Sequence, residues 1–278
     1  MCRFVAYISK KKILLSDILY EPKHSLICQS HHATEGIHPL NADGLGIAWY
    51  DQDIDALPGV FKSILPAWND QNLRHLASKT RSNCFLGHVR ASTVGDVAIN
   101  SCHPFYHKEF SFVHNGTIFN FNNLKRRLLN ELSDKLIHEL KANTDSEYLF
   151  WLIMNAYYKK ANGTTLDAVI TAFQQLEQWQ NSENDSHHSI LNTVLSNGKE
   201  LVATRYVSKN STPYSLYYTD WEENTVIVAS EPINEKYGEW KEVPLNHYLH
   251  INKNLDILVE AFPFQEAQSP LHIRLNPV

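Results

Sequence analysis

The residue best suited to do chemistry stands second in the chain. Cys2 follows the initiator methionine, and a small penultimate residue permits that methionine to be removed, leaving a thiol and a free α-amine on one residue. An α-amine titrates at about 7.7 to 8 in model compounds, so near neutrality a useful fraction is unprotonated and can accept the thiol proton, directly or through a water. Nucleophile and base are then a single residue. The competing reading of a cysteine at this position is a small apolar side chain entering a buried strand.

Three further segments carry residue types that suit such a nucleophile. In Phe112-Val113-His114-Asn115-Gly116-Thr117 an apolar run leads into Asn-Gly. That pair is commonly only a turn, but an Asn amide and a neighbouring backbone N–H can point at one spot, and glycine lets a substrate approach the backbone. This is what a tetrahedral oxyanion requires. Asn197-Gly198, between two plain strand patterns, serves as the internal control and reads as a hairpin turn. Gly87-His88-Val89-Arg90-Ala91-Ser92-Thr93-Val94-Gly95 ends a strand pattern in an arginine, the side chain shaped to bind a carboxylate with two hydrogen bonds. Asp145 lies in Thr144-Asp145-Ser146-Glu147, the form of a capping box, and suits an ammonium partner. Together Arg90 and Asp145 match the α-carbon end of an amino acid. Taken singly, they read more readily as a surface arginine and a helix-start aspartate favoured by the helix dipole.

The elements that must position these residues follow from hydrophobic patterning. A strand begins almost at the first residue, since Phe4 to Ile8 are apolar with no turn before them. Further strands are predicted over 44–50, 84–91 and 110–113, with a helix around 69–79. Leu124, Leu128, Leu132, Leu136 and Leu140 recur every fourth residue and predict a helix over 122–140 with one packing face. Helices are also expected after Thr144 and over 166–178, and residues 181–188 read as a solvated loop. Strands return over 190–195, 201–207, 214–219, 225–229, 247–251 and 257–259. The order of strands, helices and strands, without repeat or linker, predicts one domain spanning 1–278, an α/β protein whose two antiparallel sheets pack face to face with helices outside.

Composition removes several classes of function. The formal net charge of −5 offers no polycationic face for nucleic acid. The four cysteines, Cys2, Cys28, Cys84 and Cys102, form no C-x-x-C pair, which predicts neither a zinc ribbon nor a disulfide framework and fits a reducing cytoplasm. Neither a signal peptide nor a membrane-length apolar run is read from the sequence, so no membrane association is expected. The 15 histidines include the pairs His31-His32 and His187-His188, but no His-Glu-x-x-His occurs, and neither a metal nor another cofactor is expected. Asp43-Gly44-Leu45-Gly46 precedes a strand pattern and lacks a third glycine, so it reads as close strand packing near the site and not as a phosphate loop. The aromatic residues between Trp151 and Tyr158 read as a packing stripe.

Taken together, Met-Cys-Arg-Phe at the start, the Gly-His-Val-Arg-Ala-Ser-Thr-Val-Gly segment, Asn-Ser-Cys-His-Pro-Phe, Phe-Val-His-Asn-Gly, Asn-Thr-Asp-Ser-Glu and Val-Ala-Ser-Glu-Pro resemble, in order, the class II glutamine amidotransferases. The resemblance runs from residue 2 to about 232 and is strongest to the stand-alone, YafJ-like and γ-glutamyl amidase branch. It implies the four-layer αββα sandwich of the N-terminal-nucleophile hydrolases, with Cys2 as nucleophile and Asn115 and the Gly116 N–H as oxyanion hole. It further implies that Arg90 holds the substrate α-carboxylate, that Asp145 holds the α-ammonium, and that Thr93 adds a backbone contact. His103 also matches a family position and is expected to order a loop. Ala91 stands where the sugar-phosphate synthases of the class carry Trp, and no synthase domain follows. The implied activity is cleavage of the γ-amide of glutamine or of a γ-glutamyl compound. The rivals are a γ-glutamyl peptide hydrolase completed by a partner protein, and an inactive member that only binds.

Overall fold

A computed structural model of the chain describes residues 2–35, 39–91, 97–161, 163–181, 189–208, 213–222 and 224–264. In chain order the elements are β1 (Arg3–Leu14), α1 (Ser16–Leu19), α2 (Leu26–His32), β2 (Leu45–Tyr50), β3 (Gly59–Ser63), α3 (Gln71–Ala77), β4 (Arg81–Val89), β5 (Phe105–His107) and β6 (Phe110–Thr117). They continue with α4 (Phe121–Glu131), α5 (Asp134–Ile137), α6 (Asp145–Lys159), α7 (Thr165–Asn181), β7 (Ile190–Ser196), β8 (Leu201–Val207), β9 (Tyr217–Asp220), β10 (Thr225–Ala229), β11 (Lys241–Glu242), β12 (His247–Ile251) and β13 (Ile257–Ala261).

Why β1 reads as an unbroken apolar run is explained by what covers it. Its alternate residues Phe4, Ala6 and Ile8 enter one core, and Val5 and Tyr7 enter another. Both faces are therefore buried, and alternation with polar residues is lost. β1 lies inside a seven-stranded sheet of order β11-β9-β10-β1-β4-β2-β3, and the second sheet runs β13-β12-β8-β7-β6-β5. The strand pairings are antiparallel in both.

Three cores separate four layers. Between the sheets, Phe4, Ala6, Tyr50 and Leu86 meet Val113, Val194, Ala203 and Leu249. Outside the first sheet, Val5, Tyr7 and Phe85 are covered by Ile18, Leu26 and Leu73 of the three short helices. Outside the second, Phe112, Leu191 and Val202 are covered by α4, α6 and α7 through Leu124, Phe150 and Phe173. This is the expected αββα sandwich. Residues 145–155 of α6 are buried all the way round, because the helix is enclosed between the sheet and its helical neighbours.

Several expectations shift in detail. The single helix over 122–140 is two, α4 and α5, broken by extended residues at Leu132 and Ser133. Four residues advance an ideal helix by about 40° beyond a full turn, so a stripe of this spacing drifts by about 160° over its four steps. The break resets the phase and lets Leu124, Leu128, Leu132 and Leu136 all reach the core. β6 does not turn at Asn115-Gly116: it continues to Thr117, with Asn115 opposite Asn192 and Gly116 opposite Leu191. Asn197-Gly198 does close the β7–β8 hairpin, with Gly198 at a φ of +79°. The short β3, β5, β11, α1 and α2 have no counterpart in the patterning read from sequence. Of the stretch read as a solvated loop, residues 182–188, including His187-His188, lie outside the described residues.

Candidate active site

Strand alternation decides which way the reactive residues face. Phe4, Ala6 and Ile8 point between the sheets, and the same alternation puts Cys2 on that side while Arg3 turns outward. On the opposing sheet Val113 points inward, and Asn115 follows it. The thiol and the amide thus project from facing sheets into the end of the inter-sheet space. Arg90 is delivered next to Cys2 because β1 and β4 pair with Arg3 opposite Val89. Asp145, the first residue of α6, is brought in from the helical layer.

These elements meet at a narrow cleft walled by Cys2, Arg90, His103, Gly116 and Asp145 among others. The backbone of Ala91 cradles the thiol: its N–H donates to Cys2 Sγ at 3.4 Å, and its carbonyl lies 3.4 Å from the same sulfur. Burial pushes the thiol pKa up, and the Ala91 amide and Arg90 act in the opposite sense. A proton acceptor beside the sulfur is therefore needed for attack near neutrality. Asn115 is 1% exposed, and neither its Oδ1 nor its Nδ2 has a hydrogen-bond partner among the described residues. Such an orphan is rare in a folded interior and costs stability. Gly116 has no room for a side chain, since a Cβ there would come 1.8 Å from the Ile190 carbonyl oxygen.

Asp145 is held on both sides. Its Oδ2 accepts from the Ile118 N–H at 2.9 Å, and its Oδ1 accepts from the Ser146 N–H at 2.8 Å. The Thr117 and Ser146 hydroxyls lie 3.3 Å from Oδ2 and Oδ1, so each oxygen of the carboxylate is approached by two protein donors. The expected capping box forms by half. Thr144 Oγ1 accepts from the Glu147 N–H at 3.2 Å, but the Glu147 carboxylate accepts instead from the N–H groups of Lys141 and Ala142. Glu147 thereby ties the approach to the helix and not the cap itself.

Thr93 lies outside the described residues. The structure brings Cys2, Arg90, Gly116 and Asp145 together at one cleft, with Asn115 beside Gly116 on the facing strand, and adds groups to which sequence reasoning gave no role or only a loose one. His114 also lines the cleft, donating through Nε2 to the Ile190 carbonyl at 3.1 Å; neutral, it accepts at Nδ1 from the Ser146 hydroxyl at 2.9 Å. His88 packs against His103 with ring centroids 4.1 Å apart and ring planes tilted by 33°. Burial depresses the pKa of all three histidines, His88 down to about 3, so they are neutral bases packed into the interior. Gly46 passes beneath this pair, where a Cβ would meet the His103 carbonyl oxygen at 2.1 Å, and Gly44 takes a φ of +116° beside Cys102. The two glycines do serve close packing near the site. Glu231, quoted in Val-Ala-Ser-Glu-Pro without a role, is fully buried against Arg3. Its signal in the sequence was an acidic residue ending an apolar strand. Among the described residues no group of three or more His, Cys, Asp or Glu is arranged to hold a metal ion. No helix among them is long and apolar enough to cross a membrane.

The four-layer sandwich thus sets Cys2 at the end of its central strand, beside Arg90 and Asp145 and across from the strand that carries the unpaired Asn115 amide. The model of class-II glutamine amidotransferases matches residues 16–218, and the chain belongs to that family of amide-cleaving enzymes. The matched span begins beyond Cys2. Among relatives, the chain is 33% identical to the probable glutamine amidotransferase DUG3 of Saccharomyces cerevisiae over 314 aligned residues, covering 99% of this chain and 88% of that one. It is 27% identical to the gamma-glutamyl-hercynylcysteine sulfoxide hydrolase of Mycobacterium tuberculosis, covering 91% and 94%. A class-II glutamine aminotransferase domain protein from Silicibacter pomeroyi superposes with a TM-score of 0.69 at 28% identity, covering 94% and 99%. The glutamine phosphoribosylpyrophosphate amidotransferase of B. subtilis shares the fold, with a TM-score of 0.67 at 19% identity, covering 95% of this chain and 50% of that one.

Proposed function

We propose that residues 1–278 act as a single amidotransferase domain that hydrolyses the γ-amide of glutamine or of a γ-glutamyl compound through a thioester on Cys2. The observation that carries the reading is the convergence of Cys2, Arg90, Gly116 and Asp145 on one cleft, with the buried, unpaired Asn115 amide on the facing strand. With Met1 removed, the Cys2 α-amine takes the thiol proton and the sulfur attacks the amide carbon. The carbonyl oxygen becomes an oxyanion that accepts hydrogen bonds donated by Asn115 Nδ2 and the Gly116 N–H, which have no reorganisation to undergo at that moment. As the tetrahedral centre collapses, the C–N bond breaks and the protonated α-amine returns its proton to the leaving nitrogen. Water then attacks the thioester, glutamate leaves, and the thiol is restored. Arg90 and Asp145 hold the α-carboxylate and α-ammonium throughout.

A γ-glutamyl compound in place of glutamine is favoured by the mycobacterial relative, a gamma-glutamyl-hercynylcysteine sulfoxide hydrolase, and by Ala91, which is small where the class's synthases carry Trp. On this reading a partner protein supplies or completes the leaving-group side, and the enzyme works in the reducing cytoplasm, a compartment its four free thiols suit. The test incubates Met1-free protein in parallel with L-glutamine and with glutathione and measures glutamate release. Cleavage of one or both is expected, and Cys2→Ala should abolish it. If neither is cleaved while Cys2 remains alkylatable, the hydrolase reading fails; turnover surviving in Cys2→Ala would remove the mechanism.

A further inference from the structure

The nucleophile's own carbonyl is held by the next residue. Arg3 is 2% exposed, and among the described residues its guanidinium reaches acceptors on three segments. Nε donates to Glu231 Oε1 at 2.6 Å, Nη1 to the carbonyl of Cys2 at 2.9 Å, and Nη2 to the carbonyl of Glu35. Glu231, 0% exposed, is saturated in return. Its Oε1 also takes the Glu35 N–H at 3.1 Å, and its Oε2 takes His24 Nε2 at 2.6 Å, the Thr34 N–H at 2.9 Å and the Thr34 hydroxyl at 2.7 Å. The neighbouring Ser230 completes the grip, accepting from the Phe4 N–H through its hydroxyl and donating its own N–H to the Phe4 carbonyl, both at 3.0 Å.

A buried ion pair is a poor way to gain net stability, because desolvation offsets most of the attraction. What such a pair can supply is geometry. A planar guanidinium anchored at one edge by a carboxylate cannot rotate, so its remaining donors define where the Cys2 carbonyl sits. The carbonyl fixes the peptide plane that follows the Cys2 Cα, and with it the directions in which thiol and α-amine leave the strand. We infer that Glu231, acting through Arg3, is a positioning residue for the nucleophile, and that it locks the 33–35 segment to the same frame. The inference rests on the proposed role of Cys2.

The test compares E231Q and R3K with wild type as full, Met1-free chains on whichever of L-glutamine and glutathione the wild type cleaves. Rates are normalised to Cys2 labelled by an electrophilic glutamine analogue, and folding is followed by thermal melts. Each variant is expected to lose kcat by about tenfold or more, since misplacing a reacting atom by an ångström can cost about a hundredfold. KM should stay within about twofold, because Arg90 and Asp145 keep their own supports. The double variant should be no worse than the worse single, as for residues acting as one unit. A kcat per labelled Cys2 that is unchanged in folded variants overturns the inference, and so does a loss confined to KM. If E231Q does not fold, R3K decides alone, since Glu231 then retains His24 and Thr34. Wild type that cleaves neither substrate counts against the proposed function instead. Positioning is then read from Cys2 alkylation by iodoacetamide, expected to slow in both variants, an equal rate overturning it.

Discussion

Asn115 is the residue whose environment makes least sense without a substrate. Burying a side-chain amide without partners works against folding, and a site that keeps one does so for what it will bind. Replacement by alanine removes the orphan. Asn115→Ala is therefore expected to leave stability unchanged or slightly raised in urea unfolding while kcat falls by about 10²- to 10³-fold, the usual cost of one oxyanion donor. A parallel loss of stability and activity would mean that the amide is structural. Arg90 is expected to report on binding instead. Arg90→Lys keeps the charge and loses the fork, so KM for glutamine should rise by about tenfold or more, with a smaller effect on kcat.

At the scale of elements, the site depends on β6 running straight through a sequence that elsewhere turns. Gly116 permits this, because only a missing side chain lets β6 lie against the Ile190 carbonyl. Gly116→Ala must push β7 away or bend β6, and both displace Asn115. A destabilisation of about 3 kcal/mol or more, measured by urea unfolding, is expected together with loss of turnover. Gly198→Ala is the contrast. Its φ of +79° also penalises a side chain, but the hairpin lies away from the cleft, so stability should fall while kcat per folded molecule holds. The elements themselves were largely legible. Apolar runs predicted β1, β2, β4 and the late strands, and the leucine spacing predicted helix over 122–140. The break at Leu132-Ser133 was not legible, because a stripe of constant spacing does not say whether the helix bends, drifts or restarts to keep facing the core.

For the whole molecule, the buried histidines around the site carry a consequence in acid. His88, His103 and His114 are buried and neutral, with pKa values held below the ordinary 6.5. The unfolded chain takes up protons on these side chains below about pH 6.5 and the folded chain does not, so stability is full above that value and falls as the pH drops. Each fully shifted histidine contributes at most about 1.4 kcal/mol per pH unit to the slope. Urea midpoints should accordingly decline between pH 7 and pH 5, and His88→Gln should flatten the decline by about one proton's worth. Glu231 adds a second, lower window. Burial works to raise its pKa, but His24, Thr34 and Arg3 outweigh this and hold it well below the usual carboxylate range, so its contribution is lost only below about pH 4.5. A pH-independent midpoint from 7 to 5 would contradict the burial of neutral histidines.

From the sequence alone came the chemistry on offer and the order of the elements: a thiol at position 2, an arginine ending a strand, an Asn-Gly pair, an aspartate opening a helix, and strands, helices and strands in succession. These follow from residue type and local periodicity, which are properties of short segments. Tertiary structure decided the rest. That Asn115-Gly116 is strand and not turn depends on β7 being there to pair with it. That the Asn115 amide is unpartnered, and that Arg3 and Glu231 clamp the Cys2 carbonyl across 228 positions of chain, depends on which segments pack side by side. Such contacts join residues far apart in sequence, and no local pattern encodes them. The role proposed for Cys2 rests on its neighbours in the same way: the sequence offers the sulfur, and the fold supplies its cradle at Ala91, the amide on the facing strand and the buried ion pair beside it.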